Sequence, residues 1–333
     1  MPAAGELRFL QRLAFQPLPA TVEPERVEDH EVRFNQRNVG ILAKAYDTVV
    51  KIAHDHPRVA SGEDANVRVM GIVNLTPDSF SDGGRLTDLD AALVHARQLI
   101  ADGADILDIG GESTRPGAAP VSAEEEMRRV LPLIQALAAE GRTPLSIDTM
   151  KPQVARAAVA AGAGMWNDVS ALRFAPDSLA TAAELGCDVV LMHMLGEPRT
   201  MQAEPVYADV AGEVAAFLAA RAEAALAAGA ARERIWLDPG IGFGKHLTGH
   251  NLPLLAGLER LTALGYPVLL GASRKAFIGR LDGDAPPDQR LGGSVAVTLA
   301  GAARGVAMVR VHDVRETAQA LKVWAAIEAA GSA

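Results

Sequence analysis

The sequence predicts an α/β protein, a (β/α)₈ TIM barrel that follows an N-terminal extension. From Val67 onward, short runs of β-branched and other apolar residues alternate with longer, alanine-rich amphipathic segments, and the alternation makes eight units. Open doubly wound sheets usually have fewer strands, whereas a closed barrel of this class needs eight. Every predicted strand also ends in polar residues, and barrel enzymes build their active sites at the carboxyl ends of their strands.

Residues 1–66 do not share this alternation. They are polar and contain scattered prolines, and they predict a single helix over about residues 34–54. We assign them to an N-terminal extension of unknown role and residues 67–333 to the barrel. Three roles stay open for the extension: it caps the bottom of the barrel, joins an interface, or remains partly disordered.

The repeating units can be placed in order. The predicted strands are short and rich in Val, Ile and Leu, and they cover residues 67–74, 104–110, 144–148, 163–168, 188–193, 234–238, 267–271 and 306–311. The predicted helices have amphipathic patterns and lie near residues 88–102, 122–140, 152–161, 177–185, 207–229, 250–264, 291–304 and 314–330. Two helix starts carry local signals, because Ser122 precedes acidic residues 124–126 and Pro152 suits a first helical turn.

Composition limits the classes of function. The 333 residues are 49% hydrophobic, with 32 Lys and Arg against 41 Asp and Glu, a net charge of -9. This balance supports a sizeable core and disfavours a nucleic-acid partner, which would attract positive charge. The single cysteine, Cys187, excludes a disulfide scaffold, and no apolar run predicts a signal peptide or a membrane span. We therefore expect a cytoplasmic protein that acts on small molecules, without a membrane partner.

Two kinds of polar residue follow the strands. Asp148, Asn167 and Asp238 would present buried acceptors or amides, which require hydrogen-bond donors and suit an N–H-rich heterocycle such as an aminopyrimidine. A second set, which we interpret as cationic, would suit a phosphate or pyrophosphate, because barrel phosphate sites favour the loops after strands 7 and 8. This second set comprises Arg115, Lys275, Arg310 and His312.

Seven segments resemble, in order and spacing, the motif series of the dihydropteroate synthases. They cover residues 70–84, 105–118, 147–168, 190–202, 237–245, 271–279 and 310–314. The resemblance implies a pterin-binding TIM barrel and a transferase of folate biosynthesis. Such an enzyme condenses 6-hydroxymethyl-7,8-dihydropterin diphosphate with 4-aminobenzoate, giving 7,8-dihydropteroate and pyrophosphate. It also implies a homodimer, with an interface expected in the late helices, about residues 250–330.

The resemblance assigns roles to individual residues. It implies that the pterin is bound by Asp148, Asn167, Met192, Asp238, Gly271 and Lys275. It implies that the diphosphate is bound by Asn74, Thr114, Arg115, Arg310 and His312, with Asn74 also contacting Mg²⁺. It implies that 4-aminobenzoate is framed by Phe80, Thr114, Pro116, Phe243 and Ser273. The residues it implies to be catalytic are Asp148, Lys275, Arg310 and His312.

Some of these segments also have structural interpretations. Asp105 and Asp108 suit carboxylates that cap turns, the interpretation we favour for Asp105. His193 is either a hydrogen-bonded core histidine or a ligand contact. Arg274 either braces its loop through a carboxylate or contacts substrate. Residue type and position in the sequence do not decide between these alternatives.

The loop after the sixth strand resembles two other motifs only superficially. Pro239 stands where a P-loop needs its first glycine, so the glycines at 240–244 indicate a tight turn close to a ligand. His246 and His250 have the spacing of a zinc pair but lack the glutamate of H-E-x-x-H, and we expect a solvated loop there.

The chain departs from the family pattern in three places. It has the extension at 1–66, a stretch at 246–250 that is one residue longer than in many relatives, and Ser170 where some members have a basic residue. Two other functions compete with a synthase. A pterin-dependent methyltransferase barrel has no use for Lys275, Arg310 and His312 as a diphosphate site, and a non-catalytic pterin-binding partner would be expected to have lost such residues.

Overall fold

A computed structural model describes residues 67–75, 85–113, 119–196 and 205–331. The extension, with its predicted helix at 34–54, lies outside the described residues. So do four of the predicted site residues, namely Phe80, Thr114, Arg115 and Pro116.

Eight parallel strands form the barrel wall. They are β1 (Arg68–Asn74), β2 (Ile106–Gly110), β3 (Leu145–Asp148), β4 (Met165–Asp168), β5 (Asp188–Met192), β6 (Ile235–Asp238), β7 (Leu269–Leu270) and β8 (Met308–Val311). Their order is β6-β5-β4-β3-β2-β1-β8-β7, and a parallel bridge between Leu237 and Val268 brings β6 and β7 together. The (β/α)₈ barrel predicted from the sequence is therefore confirmed.

Helices follow the strands along the chain. They are α1 (Arg85–Ala101), α2 (Ala123–Glu140), α3 (Pro152–Ala160), α4 (Ser178–Leu185), α5 (Val210–Ala227), α6 (Asn251–Ala256), α7 (Glu259–Thr262), α8 (Ala276–Leu281), α9 (Leu291–Ala302) and α10 (Val314–Gly331). Ser122 caps α2 by accepting a hydrogen bond from the Glu125 amide, and Pro152 lies in the first turn of α3, as predicted. Within the described ranges, no helix combines the length and the apolar character needed to cross a membrane.

The prediction of one helix over 250–264 is wrong. The segment forms two short helices, α6 and α7, that meet at Gly257. A Cβ on Gly257 would lie only 2.9 Å from the Cβ of Ala211 in α5. This close approach of α5 explains the need for glycine at the break. Helix α8, directly after the seventh strand, has too few residues to show a helical period and was not predicted.

An apolar layer fills the interior of the barrel. It is formed by Met70, Ile106, Met165, Val190, Trp236, Leu269 and Met308, and each of them is buried. Because strand side chains alternate in direction with a period of two, the residue two positions farther along a strand faces the same interior. Those residues include Asp108, Asn167, Met192, Asp238, Gly271 and Arg310. The apolar layer therefore forms a floor, and the predicted site lies directly above it.

Candidate active site

Arg310 links three of the strands at the carboxyl end of the barrel. Its Nε donates to Asp108 Oδ2 at 2.5 Å, and its Nη2 donates to Asp148 Oδ2 at 2.8 Å. Asn167 commits one amide hydrogen to the same Asp108 oxygen, with Nδ2 at 3.0 Å. The predicted acceptor set and the predicted cation set therefore meet in one hydrogen-bonded group.

Burial dominates the electrostatics of this group. It raises the pKa of Asp148 to about 7, with the Asp108 carboxylate adding to the rise and the positive charge of Arg310 opposing it. The two carboxylates raise the pKa of Arg310 above its usual value against the effect of burial. Asp148 can therefore gain or lose a proton near neutral pH, whereas Arg310 stays charged.

Asp238 ends β6 and is held by the turn that follows it. Its Oδ1 accepts from the amide of Gly240 at 2.7 Å, and its backbone carbonyl accepts from the amide of His193 at 3.0 Å. Gly240 has φ +65°, and a Cβ there would lie 1.9 Å from the carbonyl oxygen of His193. Only glycine fits at this position, so the prediction of a tight turn at 240–244 is confirmed.

The pKa of Asp238 is raised to about 6, chiefly by burial. The Gly240 amide and the charges of Lys275, Arg310 and Lys245 oppose this rise. Asp238 therefore stays largely ionised at neutral pH although it is 5% exposed.

Lys275, Phe243 and Met192 lie around the same opening. The Nζ of Lys275 is 4.3 Å from the centroid of the Phe243 ring, a cation–π distance. Met192 is buried against Val169 and Met194, and Phe243 packs on this group. An apolar surface therefore borders the charged residues, which suits a flat ring with polar edges.

Ser273 and His312 form a pair after β7 and β8. The Ser273 Oγ accepts from the backbone amide of His312 at 3.2 Å and lies 3.1 Å from its Nδ1. Burial, followed by the charge of Arg310, lowers the pKa of His312 to about 4. The expectation that His312 adds positive charge is therefore wrong at neutral pH, because burial and Arg310 disfavour a second cation. It is a neutral imidazole whose Nδ1 can accept from the hydroxyl, leaving Nε2–H as a donor.

Arg274 braces these two loops. Its guanidinium pairs with Asp313 through two hydrogen bonds, one of them from Nε to Oδ2 at 2.9 Å. The backbone of Arg274 has φ +57°, and its amide and carbonyl are bonded to Ser294 and Arg290. The left-handed conformation is thus supported on both sides of the peptide, which fixes the neighbouring Ser273 and Lys275.

Asp168 stabilises the turn after β4. Its two carboxylate oxygens accept from the amides of Ser170 at 2.7 Å and Leu172 at 2.8 Å. Ala171 and Leu172 both have positive φ, at 52° and 59°. Burial raises the pKa of Asp168 to about 6, while these amides and the Ser170 side chain oppose the rise. The carboxylate holds a strained turn beside Asn167 and is structural in this role.

A second ionic group lies beside the end of β2, and the sequence did not indicate it. Lys151 Nζ pairs with Glu112 Oε2 at 2.7 Å and with Glu126 Oε2 at 2.6 Å. Glu112 also accepts from the amide of Val121 through Oε1, at 2.8 Å. These residues join the segment after β2, the start of α2 and the start of α3. The local signal was weak, because each is an ordinary charged residue near the end of a strand or the start of a helix.

Two further candidates, Asp105 and His193, adopt the structural interpretation. Asp105 accepts from the amide of Val69 at 2.7 Å, at the amino end of the strands. The Nδ1 of His193 is bonded to Lys245, and its ring packs edge-on against Phe217 with centroids 4.9 Å apart. His193 is therefore a satisfied core histidine.

His246 and His250 follow the loop at 240–244. The His246 amide bonds to Nδ1 of His250, and the two rings are 4.7 Å apart. Across the described parts of the chain, no three His, Cys, Asp or Glu side chains are grouped so as to hold a metal.

Asn74 is the residue that the resemblance assigns to Mg²⁺. Its Oδ1 and the Oδ2 of Asp148 lie 3.7 and 3.6 Å from the position that a Cβ on Gly110 would occupy. Two hard oxygen donors thus approach the same point at the mouth of the barrel. An amide oxygen of this kind fits Mg²⁺, which binds through few protein oxygens when phosphates and water complete its shell.

The structure brings together the predicted residues that it describes. Around the mouth of the barrel lie Asn74, Asp148, Asn167, Met192, Asp238, Phe243, Gly271, Ser273, Lys275, Arg310 and His312. Their individual roles stay predictions, as do those of Phe80, Thr114, Arg115 and Pro116. Asp108 was not predicted as a site residue, because a carboxylate near the end of a strand is equally typical of a turn cap.

Comparison with known proteins agrees with this geometry. The family model described as pterin binding enzyme matches residues 70–312. The dihydropteroate synthase of Neisseria meningitidis serogroup B is 52% identical over 267 residues, covering 78% of this chain and 92% of its own length.

Two solved structures are similar throughout the barrel. The dihydropteroate synthase of Xanthomonas albilineans with 4-aminobenzoic acid is 55% identical with a TM-score of 0.75, covering 79% of this chain and 94% of that one. The Yersinia pestis dihydropteroate synthase in a sulfonamide drug complex is 45% identical with a TM-score of 0.75, covering 82% and 98%. The chain therefore belongs to the pterin binding enzyme family and, within it, to the dihydropteroate synthases.

Proposed function

We propose that this chain condenses 6-hydroxymethyl-7,8-dihydropterin diphosphate with 4-aminobenzoate to form 7,8-dihydropteroate and pyrophosphate. The observation that carries the proposal is that the cation Arg310 pairs directly with Asp148 and is linked to Asn167 through Asp108. One end of such a site suits the N–H edge of a pterin, and the other suits its diphosphate. The similarity to the Neisseria and Xanthomonas enzymes supports the same reaction.

The pterin would be held by hydrogen bonds at its edge and by packing on its face. Ionised Asp238 and the amide of Asn167 are the groups we assign to the pyrimidine N–H groups. Gly271 lies beside Asp238, since a Cβ there would be 3.7 Å from its Oδ2, and its lack of a side chain leaves room for the ring. Met192 would supply an apolar face, and Lys275, which lies over the Phe243 ring, would border the pterin beside it.

The leaving diphosphate would be held by positive charge and by N–H donors. As the C–O bond breaks, its electron pair goes to the diphosphate, and Arg310, the Nε2–H of His312 and the amide of Asn74 stabilise the growing negative charge. Bound Mg²⁺, held in part by the Asn74 oxygen, would supply Lewis-acid neutralisation of the phosphate oxygens. Thr114 and Arg115 are assigned to the same end by resemblance.

The carbon left behind is a pterin carbocation, which ionised Asp148 would stabilise. The lone pair of the aromatic amine of 4-aminobenzoate then forms the C–N bond, and the amine proton is released. This amine is uncharged near neutral pH, so no strong general base is required. Phe243 and Ser273, with Phe80, Thr114 and Pro116 from segments outside the described residues, are assigned to the aminobenzoate pocket.

Turnover by the purified chain tests this proposal. We expect pyrophosphate release from the pterin diphosphate that depends on added 4-aminobenzoate, with one dihydropteroate formed for each pyrophosphate. Release without 4-aminobenzoate would indicate a hydrolase. Pterin binding without any release would favour a non-catalytic binding protein, and methyl transfer from methyltetrahydrofolate would favour the methyltransferase alternative.

We further propose that the chain acts as a homodimer in the cytoplasm. Val323 and Ile327, four residues apart on α10, are 56% and 63% exposed, so one face of this late helix presents apolar surface. Light scattering should give the mass of a dimer, and the double variant Val323→Glu, Ile327→Glu should shift it toward the monomer.

A further inference from the structure

Lys245 is a fully buried lysine behind the site. It ends the loop after β6, and none of its side chain reaches solvent. Its Nζ lies 2.9 Å from the carbonyl of Gly240, 3.0 Å from the carbonyl of Phe243 and 2.9 Å from Nδ1 of His193. An ammonium has three N–H donors, and all three find acceptors here.

A buried charge is costly unless it is fully hydrogen-bonded, so its presence requires a reason. The loop that it closes contains three glycines with positive φ, Gly240, Gly242 and Gly244. Glycine adopts such angles easily and also leaves them easily, so the local sequence specifies the loop weakly. The ammonium supplies the missing constraint by joining two carbonyls of the loop to β5 through His193.

Each of the three residues bonded to Lys245, namely Gly240, Phe243 and His193, contacts a residue of the site or belongs to it. Gly240 donates its amide to the carboxylate of Asp238, and His193 donates its amide to the Asp238 carbonyl. Phe243 carries the ring that lies 4.3 Å from Lys275 Nζ. Tyr207 adds support by donating from its hydroxyl to the carbonyl of Gly244 at 2.8 Å. The orientation of Asp238 and of the Phe243 ring therefore depends on backbone that Lys245 holds.

The charge of Lys245 also acts on Asp238. Burial lowers the pKa of Lys245 to about 7, while the Asp238 carboxylate opposes this change and Lys275 adds to it. In return, Lys245 is one of the cations that keep Asp238 ionised. The lysine has no path to a substrate, since its side chain is enclosed by the loop and by His193.

We propose that Lys245 is a positioning residue of this enzyme, which sets the Asp238 carboxylate and the Phe243 ring for pterin binding through its bonds to Gly240, Phe243 and His193. The inference rests on the proposed function for its substrate and deepens it. It predicts a loss in pterin affinity beyond what a loss of stability would cause.

Calorimetric binding of 6-hydroxymethylpterin, which needs no turnover, tests the proposal. We expect Lys245→Met to raise its Kd at least about ten-fold in folded protein. The matched control is Arg232→Met. Arg232 donates to the Tyr266 hydroxyl and to the carbonyl of Leu264, before the amino end of β6. Its loss should lower the melting temperature and leave the Kd within about two-fold.

A second pair of variants covers the case in which Lys245→Met does not fold. His193→Asn keeps an acceptor near the Nδ1 position, whereas His193→Leu removes it. We expect the first to retain the wild-type Kd and the second to raise it. An unchanged Kd in folded Lys245→Met, or equal Kd values for the two His193 variants, would overturn the inference. Failure of the wild-type protein to release pyrophosphate would instead overturn the proposed function.

Discussion

The guanidinium of Arg310 and the carboxylate of Asp148 form an ion pair with 2.8 Å between Nη2 and Oδ2, although 162 positions separate them in the chain. Arg310 compensates the buried charge of Asp148 and is itself also paired with Asp108. In the proposed reaction, Arg310 would stabilise the negative charge that develops on the diphosphate. Asp148 would stabilise the positive charge that develops on the pterin carbon.

The variant Asp148→Asn tests the negative half of this pair. It keeps the shape of the side chain but removes the charge that would stabilise the carbocation, so we expect kcat to fall by at least about 100-fold. Stability should change little, because Asp108 still pairs with Arg310. Steady-state rates and urea unfolding measure the two effects. Asp105→Asn, at the far end of the strands, serves as the control, and an equal loss of rate in that variant would contradict the assignment.

Pterin binding should depend on pH, because two carboxylates of the site, those of Asp148 and Asp238, titrate between about pH 5 and pH 8. Burial raises the pKa of Asp148 to about 7 and that of Asp238 to about 6. Both are assigned to binding or catalysis in the ionised form, so lowering the pH through this range protonates them and should weaken binding. Calorimetry with 6-hydroxymethylpterin from pH 8 to about pH 5 avoids the titration of a phosphate. A constant affinity down to pH 5 would show that ionised carboxylates are not needed.

Lys275→Ala should reduce turnover by about two orders of magnitude or more, because it removes a positive charge from the border of the site. Lys275 is only partly buried, so the fold should survive. Arg280→Ala is a matched control, since Arg280 is an exposed cation five positions along the chain that pairs with Asp284 at 3.0 Å. Normal kinetics in Lys275→Ala, with an unchanged melting temperature, would remove Lys275 from the site.

Sulfonamides should compete with 4-aminobenzoate. Phe243 and Ser273 border the pocket assigned to that substrate, and the similar Yersinia pestis enzyme is known in a sulfonamide drug complex. We expect a sulfonamide to raise the apparent KM for 4-aminobenzoate and to leave kcat unchanged at saturation. Inhibition that 4-aminobenzoate cannot reverse would argue against this pocket. Ser273→Ala would then report whether the hydroxyl beside His312 contributes to either ligand.

Much of the fold was readable in the chain because its signals are local. Strand and helix periods predicted eight βα units, and the short elements were missed where few residues carry the period, as in Ala276–Leu281. The polar residues after each strand predicted a site at one end of the barrel. Asn167, Asp238 and Arg310 each follow an apolar residue of the barrel floor by two positions, so they face the same interior.

Contacts between distant strands could not be read in this way. The sequence left open whether Asp108 caps a turn, and only the pairing of β1 with both β2 and β8 brings Arg310 within hydrogen-bond distance of it. The sequence suggested a cationic His312, whereas in the folded barrel burial and the charge of Arg310 lower its pKa to about 4. Nothing in the sequence indicated that Lys245 is buried, whereas in the closed barrel its side chain is enclosed and contacts His193. Residue types and periods are properties of the chain, whereas partners, burial and charge states arise when the strands are brought into register.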